Sequence, residues 1–344
     1  MKPSLRYLLT ISLVNLTSFA PVARAAVPAA DMRVLARLPL GGPGGWDYLS
    51  VDAAHRHLFV SRGDRVAVVD LASGKPIGTI AGTAGVHGVA VADDLGQGFT
   101  SNGASASVTV FDLATLTPLG RIAGTGRNPD AILYDPASHH VFTFNGGGAS
   151  ASVIDPAKRA VIATIALPGT PEFAQADGAG HVYVNIEDKA ELVEFDSRSN
   201  AVLHTWSLAP CESPSGLALD NAHHRLFSVC ENRIMAVTDA DTGRQVATVA
   251  IGDGPDAAAF DPTTATVYSS NGRSGTITAV HEDDADHYTV AATLPTQKSA
   301  RTMALDPQTH RLYLSAATPG TRKNARGWPE MLPNSFTVLV VGQR

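Results

Sequence analysis

Apolar and polar residues alternate along most of the chain, or apolar residues run in fours to sixes, with Asp-Pro, Asn-Gly and Ser-Gly as punctuation. That rhythm predicts short strands joined by tight turns, and almost nowhere does a 3.6-residue helical period persist. The stretch Gly126–Asn145 shows the unit: a loop, a short strand, a tight turn and a second strand. The same phrase returns from Gly254 through Asp261 to Thr266–Asn271, and from Ser299 through Asp306 to His310–Ser315.

Each unit carries an aromatic near the end of its second strand, at Phe59, Phe99, Phe142, Tyr183, Phe227, Tyr268 and Tyr313, at intervals of 40 to 45 residues. A third strand follows and usually closes on Asp, as at Asp70, Asp112, Asp155, Asp196 and Asp239, and then a fourth such as Pro118–Ala123 or Gln245–Ala250. Four strands per repeat at this period describe a propeller blade, and seven aromatics mean seven blades. The last unit stops after its third strand, Ser335–Val341, while Met32–Leu40 precedes the first unit as a spare strand. Pairing the two closes the ring and removes both exposed edges. The expected fold is therefore an all-β, seven-bladed propeller over residues 32–344, its last blade completed by the N-terminal strand.

Residues 1–25 read differently. Lys2 and Arg6 start a mostly apolar run from Tyr7 to Ala20, and Ala23-Arg24-Ala25 is a small-x-small cleavage site. This is the layout of a cleaved secretory signal peptide; the apolar run is too short and too often broken by polar residues for a membrane anchor. Residues 26–31 then form a short linker, and the mature protein is expected in the periplasm or outside the cell, without a membrane anchor and as a monomer. Losing three positive charges moves the net charge from −6 to −9. An acidic chain is a poor partner for nucleic acid. Export makes Cys211 and Cys230 eligible for a disulfide, which their placement on one rim of adjacent blades allows.

Several stretches resemble the YncE-like, YVTN-type seven-bladed β-propellers of exported bacterial proteins: Trp46-Asp-Tyr48, Gly98–Gly103, Asn128-Pro-Asp130, His181–Asp188 and Thr302–Asp306. The resemblance covers residues 31–344. It implies the propeller fold and, for function, a mixture of binding modules and a few enzymes.

The repeat allows one position to be read from every blade. Five residues before the end of the first strand stand Asp47, His87, Asp130, Glu172, Ser215, Asp256 and Arg301. A purely structural position would carry the same small or apolar residue each time. Here four acids, a histidine, an arginine and a serine face one mouth, by analogy with the rim where propellers commonly present ligand contacts. Crowded carboxylates raise one another's proton affinity or recruit a cation, so Asp47, His87, Asp130, Glu172 and Asp256 are candidate ligands for a divalent ion. His87 is also the candidate general base, and Arg301 suits a carboxylate or phosphate. The bland alternative is that these side chains hydrogen-bond neighbouring loops and wet a channel.

Loops between second and third strands reach the same rim with Arg62, Asn102, Asn145, Glu187, Asp188, Glu231, Asn232, Asn271 and Arg273. The three Asn-Gly pairs are read as type I′ turns rather than as contacts. In the last blade this loop, Ala317–Pro333, is long and basic, with Arg322, Lys323, Arg326 and Trp328. Trp328 is expected to join Trp46 and Tyr48 as an aromatic wall. The histidines at 55, 57, 139, 140, 181, 223, 224 and 310 fall at turns of the opposite rim, spread around a circle, which is poor geometry for one ion. His281–His287 is read as a solvated acidic turn. Signatures for nucleophilic hydrolysis, phosphate loops, dinucleotide binding and attached haem are absent.

The sequence thus points to a binding module that holds a small polar ligand or a partner protein at an acidic funnel, with a divalent cation as candidate cofactor. A metal-assisted lyase or lactonase using the same rim is the alternative, and a structural scaffold the third reading.

Overall fold

The computed structural model describes residues 31–323, 327 and 329–343. Trp328, Arg326 and residues 1–25, expected to be a signal peptide, lie outside the described residues. Seven four-stranded sheets follow one another around a ring, six built from consecutive strands. The seventh takes Met303–Asp306, Arg311–Ala316 and Thr337–Gly342 from the end of the chain, and Arg33–Pro39 from its beginning. The N-terminal strand pairs antiparallel with the C-terminal one, Arg37 opposite Leu339.

Local chemistry explains why each blade folds alike. The repeated aromatics lie on the second strand and are 0–4% exposed, filling the space between neighbouring sheets, as where Phe59 meets Phe111 and Phe142 meets Phe195 at 5.3 Å. The Asp that ends the third strand turns the chain into the fourth: Asp70, Asp112, Asp155, Asp196 and Asp239 each accept the N–H three residues on, at 2.6–3.0 Å. Such side-chain turns are why Asp punctuates the repeat.

Asn102, Asn145 and Asn271 differ from expectation. None of them, nor the glycine after each, has a positive φ, so these are not type I′ turns. All three are fully buried, and each donates through Nδ2 at 3.0 Å to a hydroxyl on the third strand: Thr109, Ser152 and Thr278. They tie the rim ends of two strands together inside the blade. The long loop of blade 7 is not structureless either. Pro319–Lys323 pairs with Pro329–Met331 as a hairpin, with Arg322 2.7 Å from Glu330. The stretch beginning at His281 is strand rather than turn as far as Asp284, and Glu282 within it is 3% exposed.

Ring closure is reinforced by Arg62, which is buried and so is no rim contact. Its guanidinium donates to the carbonyls of Gly41, Gly42, Pro43 and Gly45 and lies 3.6 Å from the centre of the Phe336 ring. Burial, with Arg65 nearby, draws its pKa down to about 10. Arg62→Ala should cost about 3 kcal/mol, because four carbonyls lose their donor inside the protein. The check is a denaturant melt with limited proteolysis: a lower midpoint and new cleavage at residues 41–45 are expected, and an unchanged midpoint would show the closure does not need it.

Candidate functional site

The polar position read from each repeat sits next to the axis. In blades 2 to 6 it is the second residue of the inner strand: His87 in Val86–Ala92, Asp130 in Pro129–Asp135, Glu172 in Pro171–Ala176, Ser215 in Pro214–Asp220 and Asp256 in Pro255–Asp261. In blades 1 and 7, Asp47 and Arg301 stand two residues before the strand. In those five strands the pairing register slips across this residue. A bulge of this kind bends a strand and re-aims a side chain. Struts from the preceding blade hold the backbone at this position: Ser101 Oγ donates to the Asp130 carbonyl, Ser270 Oγ to that of Arg301, and Asn185 Nδ2 to that of Ser215 at 2.9 Å.

The side chains form an arc of alternating charge. The Asp256 carboxylate pairs with Arg301, whose guanidinium lies 3.8 Å from Asp47. Asp47 Oδ2 is 2.6 Å from His87 Nδ1, and Asp130 Oδ1 is 3.4 Å from the same nitrogen. The order around blades 6, 7, 1, 2 and 3 is therefore minus, plus, minus, plus, minus. Blade 4 adds Glu172, and no basic side chain lies within ion-pair distance of it among the described residues. Ser215 of blade 5 is neutral and spends its hydroxyl on the Pro255 carbonyl at 3.3 Å, a structural bond.

Electrostatics follow from this arc. Burial disfavours the charged imidazole of His87, but its hydrogen bond to Asp47 and the charges of Asp130 and Asp47 outweigh that and lift it to about 9. Burial pushes Asp130 up to about 6, with Asp47 and Asp256 adding to the rise and His87 and Arg301 opposing it. Glu172 is held well above the usual carboxylate range by burial and then by Asp130, Asp256 and Glu187. Asp256 is raised by burial against the pull of Arg301, and the charge of Asp256 in turn raises Arg301.

Tyr48 closes the bottom of the mouth. From blade 1 its ring reaches Phe173 of blade 4 at a centroid distance of 5.3 Å, edge to face, so the two span the axis. Burial and the surrounding acids raise the Tyr48 hydroxyl far above its ordinary pKa. Tyr48 is thus a floor rather than a wall. Trp46 leans away, its ring 5.5 Å from Phe336 at the closure seam.

Repeat reading passed over three features. Phe173 follows Glu172 as Tyr48 follows Asp47, whereas the other blades have Gly88, Ala131, Gly216, Ala257 and Thr302 at that place; two large rings among five small residues were there to be read. Asn128 hydrogen-bonds the His87 ring. Gly103 is required by close approach, since a Cβ there would stand 2.6 Å from His87 Nε2. Of the second loop set, Arg273 pairs with Glu231 and Asp253, Asn232 holds the Pro210 carbonyl at 2.8 Å, and Asp188 accepts the Thr170 N–H at 2.6 Å. A cleft of about 520 Å³ opens between blades 3 and 4, lined by Arg127, Gly147, Thr170, Asp188 and Lys189 among others and by none of the seven ring residues. Cys211 and Cys230 are joined in a disulfide, Cα to Cα 5.5 Å.

No protein-family model matches the sequence, and comparison with curated proteins finds no match. Solved structures match throughout. The WD40 repeats of RRP9 are similar at a TM-score of 0.75 and 12% identity, over 92% of this chain and 98% of that one. A chain of the mitotic checkpoint complex is similar at 0.75 and 14%, over 98% and 99%. A chain of hydrazine synthase from Kuenenia stuttgartiensis is similar at 0.69 and 18%, over 88% and 95%. The shared feature is the fold. This chain is a seven-bladed β-propeller.

The raised carboxyls carry a stability sign. A carboxyl whose folded pKa lies above its unfolded value contributes stability below the unfolded value and loses it as pH rises toward the folded one. Glu172→Gln keeps shape and removes the charge. It should melt like the wild type near pH 4.5 and be the more stable of the two at pH 8. Thermal melts across that range check it; a variant less stable at pH 8 would mean Glu172 has a stabilising partner.

Proposed function

We propose that the protein is an exported binding module of the YncE-like kind, whose acidic funnel holds a small polar ligand through a positively charged group or a bound divalent cation. The carrying observation is the arc of alternating charge that ends at Glu172, which has no counter-cation among the described residues. Asp130 and Asp256 reinforce the negative potential there, and the Tyr48 ring meets Phe173 across the axis close by. Export is supported by the basic-apolar-small pattern of residues 1–25 and by the disulfide.

Two other readings keep a specific observation each. Asp47, His87 and Asp130 offer ligand atoms within 4.8 Å of one another, as a metal-assisted lyase or lactonase would need. With its pKa near 9, however, His87 carries a proton at neutral pH and donates rather than accepts, which favours binding over base catalysis. Propellers similar in fold occur in the mitotic checkpoint complex, so a cationic segment of a partner protein is the other occupant.

A thermal-shift screen of the full chain with calcium, manganese, small diamines and guanidinium compounds tests the reading. At least one should raise the melting temperature by several degrees, and Asp130→Asn with Glu172→Gln should abolish the shift while the apo protein stays folded. Absence of any shift, or a shift indifferent to both substitutions, overturns it.

A further inference from the structure

Away from the funnel, on the opposite rim, the seam between blades 5 and 6 gathers Asp220, His223 and Glu282. Asp220 ends the inner strand of blade 5 and accepts the N–H groups of Ala222 and His223 at 2.9 and 3.2 Å, a turn device that recurs as Asp52 with His55 in blade 1. His223 Nδ1 lies 2.7 Å from Asp220 Oδ2. What the repeat does not account for is Glu282. It comes from blade 6, whose third strand continues for nine residues to Asp284 and so carries the carboxylate to the neighbouring blade.

Glu282 is 3% exposed, and its Oε2 is buried without a hydrogen-bond partner; His223 Nδ1 stands 3.5 Å from it, and the Asp220 carboxyl crowds the same group and helps raise its proton affinity. Its Oε1 fares little better, since Tyr288 reaches it at 3.3 Å while standing 2.8 Å from the Ala285 carbonyl. The nearby Arg225 is committed to Asp239 and to the carbonyls of Ala285, His223 and His224. Two buried carboxylates therefore face one imidazole and, among the described residues, no fixed cation within ion-pair distance of Glu282, an arrangement that costs free energy unless positive charge is supplied.

We propose that Asp220, His223 and Glu282 bind a divalent transition-metal ion of the zinc type, which clips blade 5 to blade 6. The three ligand atoms lie within 4.8 Å of one another; around a tetrahedral ion with bonds of about 2.0–2.1 Å, ligands stand roughly 3.3 Å apart. One imidazole nitrogen with two carboxylate oxygens suits zinc and its neighbours, whereas magnesium and calcium prefer all-oxygen sets. The half-exposed His223 leaves an open side for a water as fourth ligand and for exchange with solvent.

Chelator-treated full-length protein titrated with zinc chloride, followed by calorimetry and elemental analysis, tests the site. The wild type should hold a tight zinc equivalent that magnesium does not displace. That equivalent should weaken by about 100-fold or more in His223→Ala and in Glu282→Gln, and should persist in His87→Ala and Glu172→Gln, which alter the funnel. Zinc at saturating concentration should raise the wild-type melting temperature by roughly 4 °C and leave Glu282→Gln unmoved. Unchanged zinc binding in both seam variants overturns the assignment. So does a wild type that binds no zinc while Glu282→Gln melts higher than it, because a proton shared between Asp220 and Glu282 then supplies the missing charge. Glu282→Gln is nearly isosteric, so the test survives if His223→Ala folds poorly.

Discussion

Seven inner strands that converge on one axis bring the polar residues at their entrances close together, and like charges at short distance repel strongly when water is scarce. The protein meets this constraint by alternation. Asp256, Arg301, Asp47, His87 and Asp130 follow each other by sign around five blades, and only at Glu172 does the sequence of signs break. Everything distinctive about the mouth depends on that break. An arc balanced all round would be a structural lock; an arc with one carboxylate left over is a structural lock with a site at its end.

The rest of the architecture keeps that arrangement in place. Bulges in five blades turn the polar residues toward the axis, and hydroxyl and amide struts from Ser101, Asn185 and Ser270 fix the carbonyls of Asp130, Ser215 and Arg301. Below them five small residues let two rings from opposite blades, Tyr48 and Phe173, meet across the centre. At the seam the N-terminal strand completes the last sheet, with Arg62 gathering the following loop beneath Phe336. Stability and site are therefore bought with the same residues, as at Gly103, where the lack of a side chain admits His87.

Much of this was legible in the sequence because a repeat converts counting into geometry. The aromatics counted blades, the unpaired ends announced the closure, and reading one position per repeat put Asp47, His87, Asp130 and Arg301 at one mouth. Failures came where the repeat departs from itself or where burial decides. Asn102, Asn145 and Asn271 looked like turn residues because Asn-Gly so often is one; their fully buried amides instead bind the third strand. Glu282 looked like solvent-exposed acid because a run of acids normally is, and strand lengthening in blade 6 is not visible in the composition. Trp46 looked like a companion to Tyr48, yet two residues along a chain that is turning into a strand are enough to send its ring to Phe336.

The most direct measurement is the titration of the His87 imidazole, followed by NMR in protein labelled at histidine and assigned with His87→Gln. Held between Asp47 and Asp130, the ring should keep its proton through neutral pH and titrate at about 9. A midpoint at the ordinary value of 6.5 would mean that these carboxylates do not share its charge, and that the alternating arc does not exist in solution.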